Sequence, residues 1–254
     1  MKLDRVIAVR NNKTIFRDGD RCIKVFEYGY SKTDVLNEAL SHAKIEETGI
    51  MTPKLLEVTS IDGKWAIVTE FIKGKTLSQL MEENPEKRSE YIDLMADLQL
   101  EINSKQGFEL RSLKNNLSYK IMNMDFDDIV RFDLLTRLEG MTNHNNICHG
   151  DLNPSNIIID EAGTPYIIDW AHAMQGQALA DAATTYLLFL LNGDVDAAGK
   201  YLEKYCEKSD TDKQYIMKLI PVVAVSQYRK GNEKEREFMS KWISTYNTNE
   251  GEIR

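Results

Sequence analysis

Cys148-His149-Gly150-Asp151-Leu152-Asn153-Pro154-Ser155-Asn156-Ile157-Ile158-Ile159-Asp160, followed after a turn by Tyr166-Ile167-Ile168-Asp169-Trp170, is the stretch on which the fold decision rests. Residues 157–159 and 166–168 are short apolar runs, and residues 160–165 between them are turn chemistry. Folded antiparallel about that turn, the two runs are expected to set Asn156, entering the first, opposite Asp169, leaving the second. Directly opposed residues in such a pair lie about 4.5–5.5 Å apart at Cα. That is near enough for an amide oxygen and a carboxylate to share one hard cation. Asp151 precedes Asn156 by five residues, in the loop that feeds the first strand.

Upstream of this stretch, β-prone runs at residues 6–9, 14–16 and 22–26 are separated by the turn signals Asn11-Asn12 and Asp18-Gly19-Asp20. They predict a three-stranded meander. Ser31, with Asp34 three residues on, resembles a capping box. Val35, Leu36, Ala39, Leu40 and Ala43 then recur at helical spacing until Gly49. Residues 54–58 and 65–71 predict a second strand pair about Ile61-Asp62-Gly63. Past Ile72-Lys73-Gly74-Lys75 the pattern turns helical, over residues 76–83, 89–102, 117–124 and 127–138. Beyond the hairpin, helices are expected over 182–191, 195–205, 211–225 and 233–244, with Pro221 kinking or splitting the third of these. The expected fold class is α+β. Residues 1–71 form a small antiparallel-sheet lobe with one helix, and residues 72–254 a larger, mainly helical lobe whose tail, residues 247–254, frays.

With 254 residues the chain is long enough for one large domain or two modest lobes around a real core. Apolar residues at 42% and charged residues at 28% are ordinary for a soluble globular protein. The 32 basic and 40 acidic residues leave a formal net charge of −8, which argues against nucleic acid as the main partner. The first residues offer no apolar stretch long enough for a signal peptide. The apolar runs at residues 186–191 and 219–225 are too short to span a bilayer. No membrane partner is expected. Cys22, Cys148 and Cys206 form no CxxC pair and no disulfide framework, so a reducing cytoplasm is the expected location. Cys148, His149 and His144 cluster in sequence but match no common zinc spacing.

Five positions carry chemistry: Lys24 on the third strand, Glu38 on the first helix, then Asp151, Asn156 and Asp169. In this order they resemble the protein-kinase-like fold, in its aminoglycoside phosphotransferase and choline kinase branch. His149 to Asn156 has that branch's His-Gly-Asp-x-x-x-x-Asn form, and Ile168-Asp169-Trp170 its Ile-Asp-Trp form. Gly176-Gln177-Ala178-Leu179-Ala180-Asp181 is similar to the branch's Gly-Asp-Pro-Leu-Ala-Asp stretch, with Gln177 and Ala178 as departures. Glu70-Phe71-Ile72-Lys73-Gly74 is similar to its lobe-linking segment. The resemblance implies a phosphotransferase using ATP and Mg²⁺ on a small-molecule hydroxyl. Asp151 then orients the hydroxyl and accepts its proton. Asn156 and Asp169 hold the metal, and Lys24, fixed by Glu38, holds the α/β-phosphates. Backbone groups of Glu70 and Ile72 meet the adenine edge, His149 is a structural hydrogen-bonding residue, and Asp181 braces the catalytic loop or merely caps a helix. A Gly-rich loop is missing between the first two strands, where Asn11, Asn12 and Lys13 stand instead. Asn tolerates positive φ, so backbone amides there could still cradle phosphate.

Two further readings compete. A protein kinase fits poorly. Gly150 replaces the Arg of a His-Arg-Asp loop, Asn153 stands where Lys is usual, and residues 170–180 contain no Ser, Thr or Tyr to phosphorylate. A nucleotide-binding module without turnover predicts loss of Lys24, Asp151, Asn156 or Asp169, and all four are present. For the acceptor, Asp125, Asp127, Asp128, Glu203 and Glu207 would suit a polyamine-like antibiotic. Tyr205, Tyr228 and Trp242 would suit a quaternary ammonium.

Overall fold

The computed structural model describes residues 3, 5–10, 12–107 and 109–243. Along the chain run β1 (Arg5–Arg10), β2 (Lys13–Asp18), β3 (Arg21–Phe26), α1 (Lys32–Glu46), β4 (Leu55–Ile61), β5 (Lys64–Glu70), β6 (Gly74–Thr76) and α2 (Leu77–Glu83). Next come α3 (Arg88–Ser104), α4 (Leu113–Met122), α5 (Asp128–Glu139), β7 (Asn146–Cys148), β8 (Ile157–Asp160), β9 (Pro165–Ile167) and β10 (Met174–Gly176). The chain continues with α6 (Ala178–Leu191), α7 (Val195–Ser209), α8 (Lys213–Met217), α9 (Ile220–Lys230) and α10 (Glu233–Ile243). Two compact units emerge, one of Met1–Pro85 with Pro154–His172, the other of Glu86–Asn153 with Ala173–Arg254. Among the described residues no helix is long and apolar enough to cross a membrane. Of the expected turns, Asn11 lies outside the described residues, as do the expected tail and Ser244.

The first unit is built on an antiparallel five-stranded sheet in the order β1-β2-β3-β5-β4. Its tight turns follow from local chemistry. Asp62 and Gly63, at φ +49° and +76°, join β4 to β5 as a two-residue hairpin of the type that matches strand twist. Alternation then sorts the side chains to two faces. Ile23, Val25, Ala66 and Val68 pack with Phe16 and Ile61 on one face. Phe26 and Ile67 pack with Val35 and Ala39 of α1 on the other. Ser31 caps α1, its side chain accepting from the Asp34 N–H at 3.3 Å.

The buried stripe of α1 is only partly apolar. Leu36 and Leu40 stay 45% and 54% exposed, while Glu38 and His42, at 8% each, are buried beside Val35, Ala39 and Ile45. Polar groups tolerate burial only when partnered. Here Glu38 meets Lys24, and His42 donates through Nε2 to the Pro53 carbonyl at 2.6 Å. Burial outweighs that hydrogen bond and pushes the His42 pKa down.

In the second unit, α3 packs on α7, and α6 on both α7 and α9. Alanines 180, 182 and 183 of α6 are fully buried and let neighbouring backbones come close. The helix over residues 211–225, expected to be kinked or split at Pro221, is split into α8 and α9. Pro221 stands at the start of α9, where its missing N–H costs nothing. Helix α6 begins four residues ahead of the expected Ala182, with Gln177 at its N-cap. Asp181 is therefore an intrahelical residue, not a cap.

Lys120 of α4 donates to Ser226 Oγ of α9 at 2.8 Å. Burial, then the cations Lys230, Arg229 and Arg111, push its pKa down to about 8. Its unfolded value is about 10.4, so between roughly pH 8 and 10.4 the unfolded chain binds more protons and stability rises with pH. Lys120→Met keeps the apolar stem without the charge. It should be more stable than wild type at pH 7 by about 1–2 kcal/mol after solvent screening, and the gap should close near pH ~10.5. Urea unfolding at both pH values checks this.

Candidate active site

Strand register decides which side chains meet in the first unit. Lys24 on β3 lies opposite Ile15 on β2, and Lys13 lies opposite Phe26. Directly opposed residues share a face, so Lys13 and Lys24 project from the same side of the sheet, one diagonal step apart. Lys24 is ion-paired with Glu38 of α1. Its ammonium also donates to Asp169 Oδ1 at 3.0 Å. Lys13 donates to the same carboxylate, at 3.0 Å to Oδ2 and 3.3 Å to Oδ1. Burial alone would lower the Lys24 pKa, but Asp169 and Glu38 raise it far above the usual lysine range. Burial likewise acts to raise the Asp169 pKa, and Lys24 and Lys13 overcome it, holding the carboxyl far below the usual range. Lys24 and Asp169 therefore both stay charged throughout the working pH range. Lys13 was not among the residues the motifs pointed to. Counting the β2–β3 register from the Asp18-Gly19-Asp20 turn would have found it.

The hairpin forms as its sequence foretold, with one shift. Ile157 pairs with Ile167 and Ile159 with Pro165, so the residue opposite Asn156 is Ile168, whose N–H donates to the Asn156 carbonyl at 2.9 Å. Asp169 follows one residue later. The chain there swings to φ +65°, a left-handed setting that Asp tolerates better than most residues. Its backbone is turned out of the ladder, and the side chain reaches the lysines rather than a cross-strand neighbour. Trp170, next along, is 1% exposed, its indole N–H donating to Thr52 Oγ1 at 3.1 Å.

Metal chemistry can be tested on this donor set. Among the described residues no group of three or more His, Cys, Asp or Glu side chains could hold an ion. The first unit instead offers the ionised Asp169 and the amide of Asn156, which is 9% exposed. Both are hard oxygen donors. Mg²⁺ takes only one or two protein ligands when phosphates and waters fill the rest, so these residues fit a nucleotide-borne Mg²⁺ and not an all-protein cage.

Asp151 belongs to the second unit. Its loop is fixed by Asp181, a carboxylate 2% exposed. Asp181 accepts the backbone N–H groups of His149 and Gly150, both at 2.8 Å, and the side-chain amides of Gln99 at 2.6 Å and Asn103 at 3.1 Å. Gly150 at φ +73° supplies the turn that a β-carbon would resist. His149, fully buried, accepts the Asp151 N–H at Nδ1 at 3.2 Å. Asn153 donates to the Asp151 carbonyl at 3.0 Å.

The linking segment is also pinned. The Glu70 N–H donates to the Lys54 carbonyl and the Phe71 N–H to the Asp20 carbonyl, each at 2.9 Å. A cavity of about 470 Å³ opens beside Glu70 and Ile72 and is lined further by Asp20, Lys73, Asp160 and Tyr166. Lys24 and Asp169 do not line it. Of the acceptor candidates, Tyr205 is 1% exposed and its hydroxyl donates to Asn103 Oδ1 at 3.3 Å, so it is core. Tyr228 packs on Phe126 with ring centroids 5.9 Å apart. Asp127 caps α5, accepting the Val130 N–H at 2.9 Å, and Glu207 pairs with Lys204.

The phosphotransferase enzyme family model matches residues 6–215, and the chain belongs to that family. It is an enzyme of the phosphotransferase class. A comparison with curated proteins returned no match. Among solved structures, a thermostable mutant of aminoglycoside phosphotransferase APH(4)-Ia, in ternary complex with AMP-PNP and hygromycin B, aligns at TM-score 0.69 and 13% identity over 94% of this chain and 90% of that one. An aminoglycoside-3'-phosphotransferase of type VIII aligns at TM-score 0.63 and 18% identity, covering 87% and 92%. Choline kinase LicA from Streptococcus pneumoniae aligns at TM-score 0.63 and 15% identity, covering 97% and 94%. These likenesses establish the protein-kinase-like α+β fold, with its small antiparallel-sheet lobe and larger helical lobe.

Removing the Asp181 carboxylate strands four donors. Asp181→Ala should cost on the order of 4 kcal/mol and speed hydrogen exchange at the Gly150 amide. Asp181→Asn, which keeps the shape but one acceptor oxygen only, should fall between. Urea unfolding with amide exchange by NMR reads both.

Proposed function

We propose that this enzyme moves the γ-phosphate of ATP, carried with Mg²⁺, to a hydroxyl of a small molecule: an aminoglycoside-like antibiotic, a choline-like alcohol or another metabolite. The observation that carries the reading is the Lys24–Glu38–Asp169 cluster. A lysine is held out of water by a helix carboxylate and aimed at a second carboxylate that protein ligation of a metal would use.

In this reading Lys24 holds the α/β-phosphates and Glu38 fixes its ammonium. Glu70 and Ile72 present backbone groups to the adenine edge. Asn156 and Asp169 hold the Mg²⁺, which when bound neutralises charge on the β- and γ-phosphates. Asp151 orients the acceptor hydroxyl. As the oxygen bonds to the γ-phosphorus and the bond to the bridging β–γ oxygen breaks, Asp151 takes the hydroxyl proton and ADP leaves with the electron pair. A carboxylate is a weak base toward an alcohol, so alignment and late proton acceptance are its work. Residues 1–71 then act as the nucleotide-binding lobe and residues 72–254 as the catalytic and acceptor lobe, in the cytoplasm. Because Tyr205 is core, recognition of a quaternary ammonium would fall to other aromatic groups.

The test is ADP release with Mg-ATP across a panel of aminoglycosides, amino alcohols, choline-like alcohols and sugars. Asp151→Asn should lower kcat on the acceptor found by about a hundredfold or more, with nucleotide affinity kept. Full activity in that variant would remove Asp151 from the role. Tight Mg-ATP binding with no ADP over the whole panel would favour a binding module without turnover.

A further inference from the structure

Lys13 has no place in the reading above, yet the structure commits it to Asp169. Both of its side-chain hydrogen bonds go to that carboxylate, and its side chain is only 20% exposed. Lys24 shares Asp169 but is anchored separately by Glu38. Its position survives if Asp169 takes another partner. That of Lys13 does not, since Asp169 is its ion-pair partner and Glu38 belongs to Lys24.

The charges in the cluster, Lys13, Lys24, Glu38 and Asp169, sum to zero. A divalent cation at Asp169 breaks that balance, because it brings two positive charges to the carboxylate Lys13 occupies. Repulsion at such range is strong in a half-buried site. Lys13 must then leave, and it needs a new anion. A triphosphate arriving with the cation provides one. The backbone makes the exchange inexpensive. Lys13 is the first residue of β2, beside the β1–β2 turn, and its four-carbon stem can swing without disturbing the ladder to Phe26. A turn reading Asn11-Asn12-Lys13 has no glycine to bring backbone amides close to phosphate, and a mobile ammonium supplies the missing positive charge.

We propose that Lys13 is a phosphate-positioning residue that guards Asp169. It neutralises the carboxylate in the nucleotide-free protein and transfers to the β- and γ-phosphate oxygens when the metal–nucleotide complex binds. Bare metal must compete with Lys13, whereas metal carried by nucleotide does not, so the site selects the complex over the free ion. The proposal rests on the kinase reading of this same site.

Mn²⁺ binding, read by electron paramagnetic resonance of the free ion, tests it without turnover. Wild type, Lys13→Met and Lys13→Arg are titrated first with Mn²⁺ alone, then with Mn²⁺ and AMP-PNP. Lys13→Met should bind bare Mn²⁺ about tenfold more tightly and Mn-AMP-PNP about tenfold more weakly, with Lys13→Arg close to wild type in both. Opposite shifts are the signature. A lysine that only stabilises the fold would move both affinities together or neither, and either result overturns the proposal. Lys13→Gln, which keeps a polar end, is a second variant should the Met form unfold. If wild type itself fails to bind Mn-AMP-PNP, the kinase reading falls and the transfer to phosphate falls with it. If wild type binds normally and Lys13→Met shifts in one direction only, the Lys13 proposal alone is lost.

Discussion

A charge taken out of water must be matched, and that constraint organises both units of this chain. A buried ionised group without partners costs far more than the fold can spare. In the first unit Lys24 answers to Glu38 and Asp169. In the second, Asp181 answers to four N–H donors. Each arrangement is satisfied locally and holds a segment of the candidate site in place. The first fixes an ammonium beneath the sheet. The second fixes the backbone that carries Asp151.

The second network continues beyond Asp181. Gln99 Oε1 accepts the hydroxyls of Thr185 at 2.7 Å and Tyr201 at 3.2 Å. Asn103 donates to the Ile147 carbonyl at 2.8 Å, on the strand that leads into His149. A loop anchored this way owes its conformation to α3, α6 and α7 rather than to its own residues. Its sequence is thus free to serve chemistry, and its rigidity comes from a satisfied polar core.

Much of this was legible in the sequence. Turn pairs such as Asp62-Gly63 dictated hairpins because few residues accept their φ angles, and the five strands of the sheet followed. The order of Lys24, Glu38, Asp151, Asn156 and Asp169 carried the family. What escaped was set by tertiary partners. Helical spacing placed α1 but not its setting: Val35 and Ala39 of the apolar stripe are buried while Leu36 and Leu40 are not, and burial of His42 depends on the Pro53 carbonyl, which no local pattern reveals. The pairing of Asn156 with Ile168 turns on how many residues the Asp160–Thr164 turn consumes, here fixed by Asp160 accepting the N–H groups of Ala162 and Thr164. Pro221 was read correctly as a break but not as a helix start. Lys13 was singled out only for the backbone of the turn it adjoins, because the partner of its side chain, Asp169, lies far along the chain.

Helix α1 is seated against its own solvation preference. Two leucines face water while a glutamate and a histidine face inward, and the leucines lie within about one residue step, or 100° of roll, of the buried arc. Packing of Val35, Ala39 and Ile45 opposes that roll, and the Lys24–Glu38 ion pair adds to the resistance. The helix thus carries an azimuth chosen by its neighbours, with the lysine's anchor as one of its pegs.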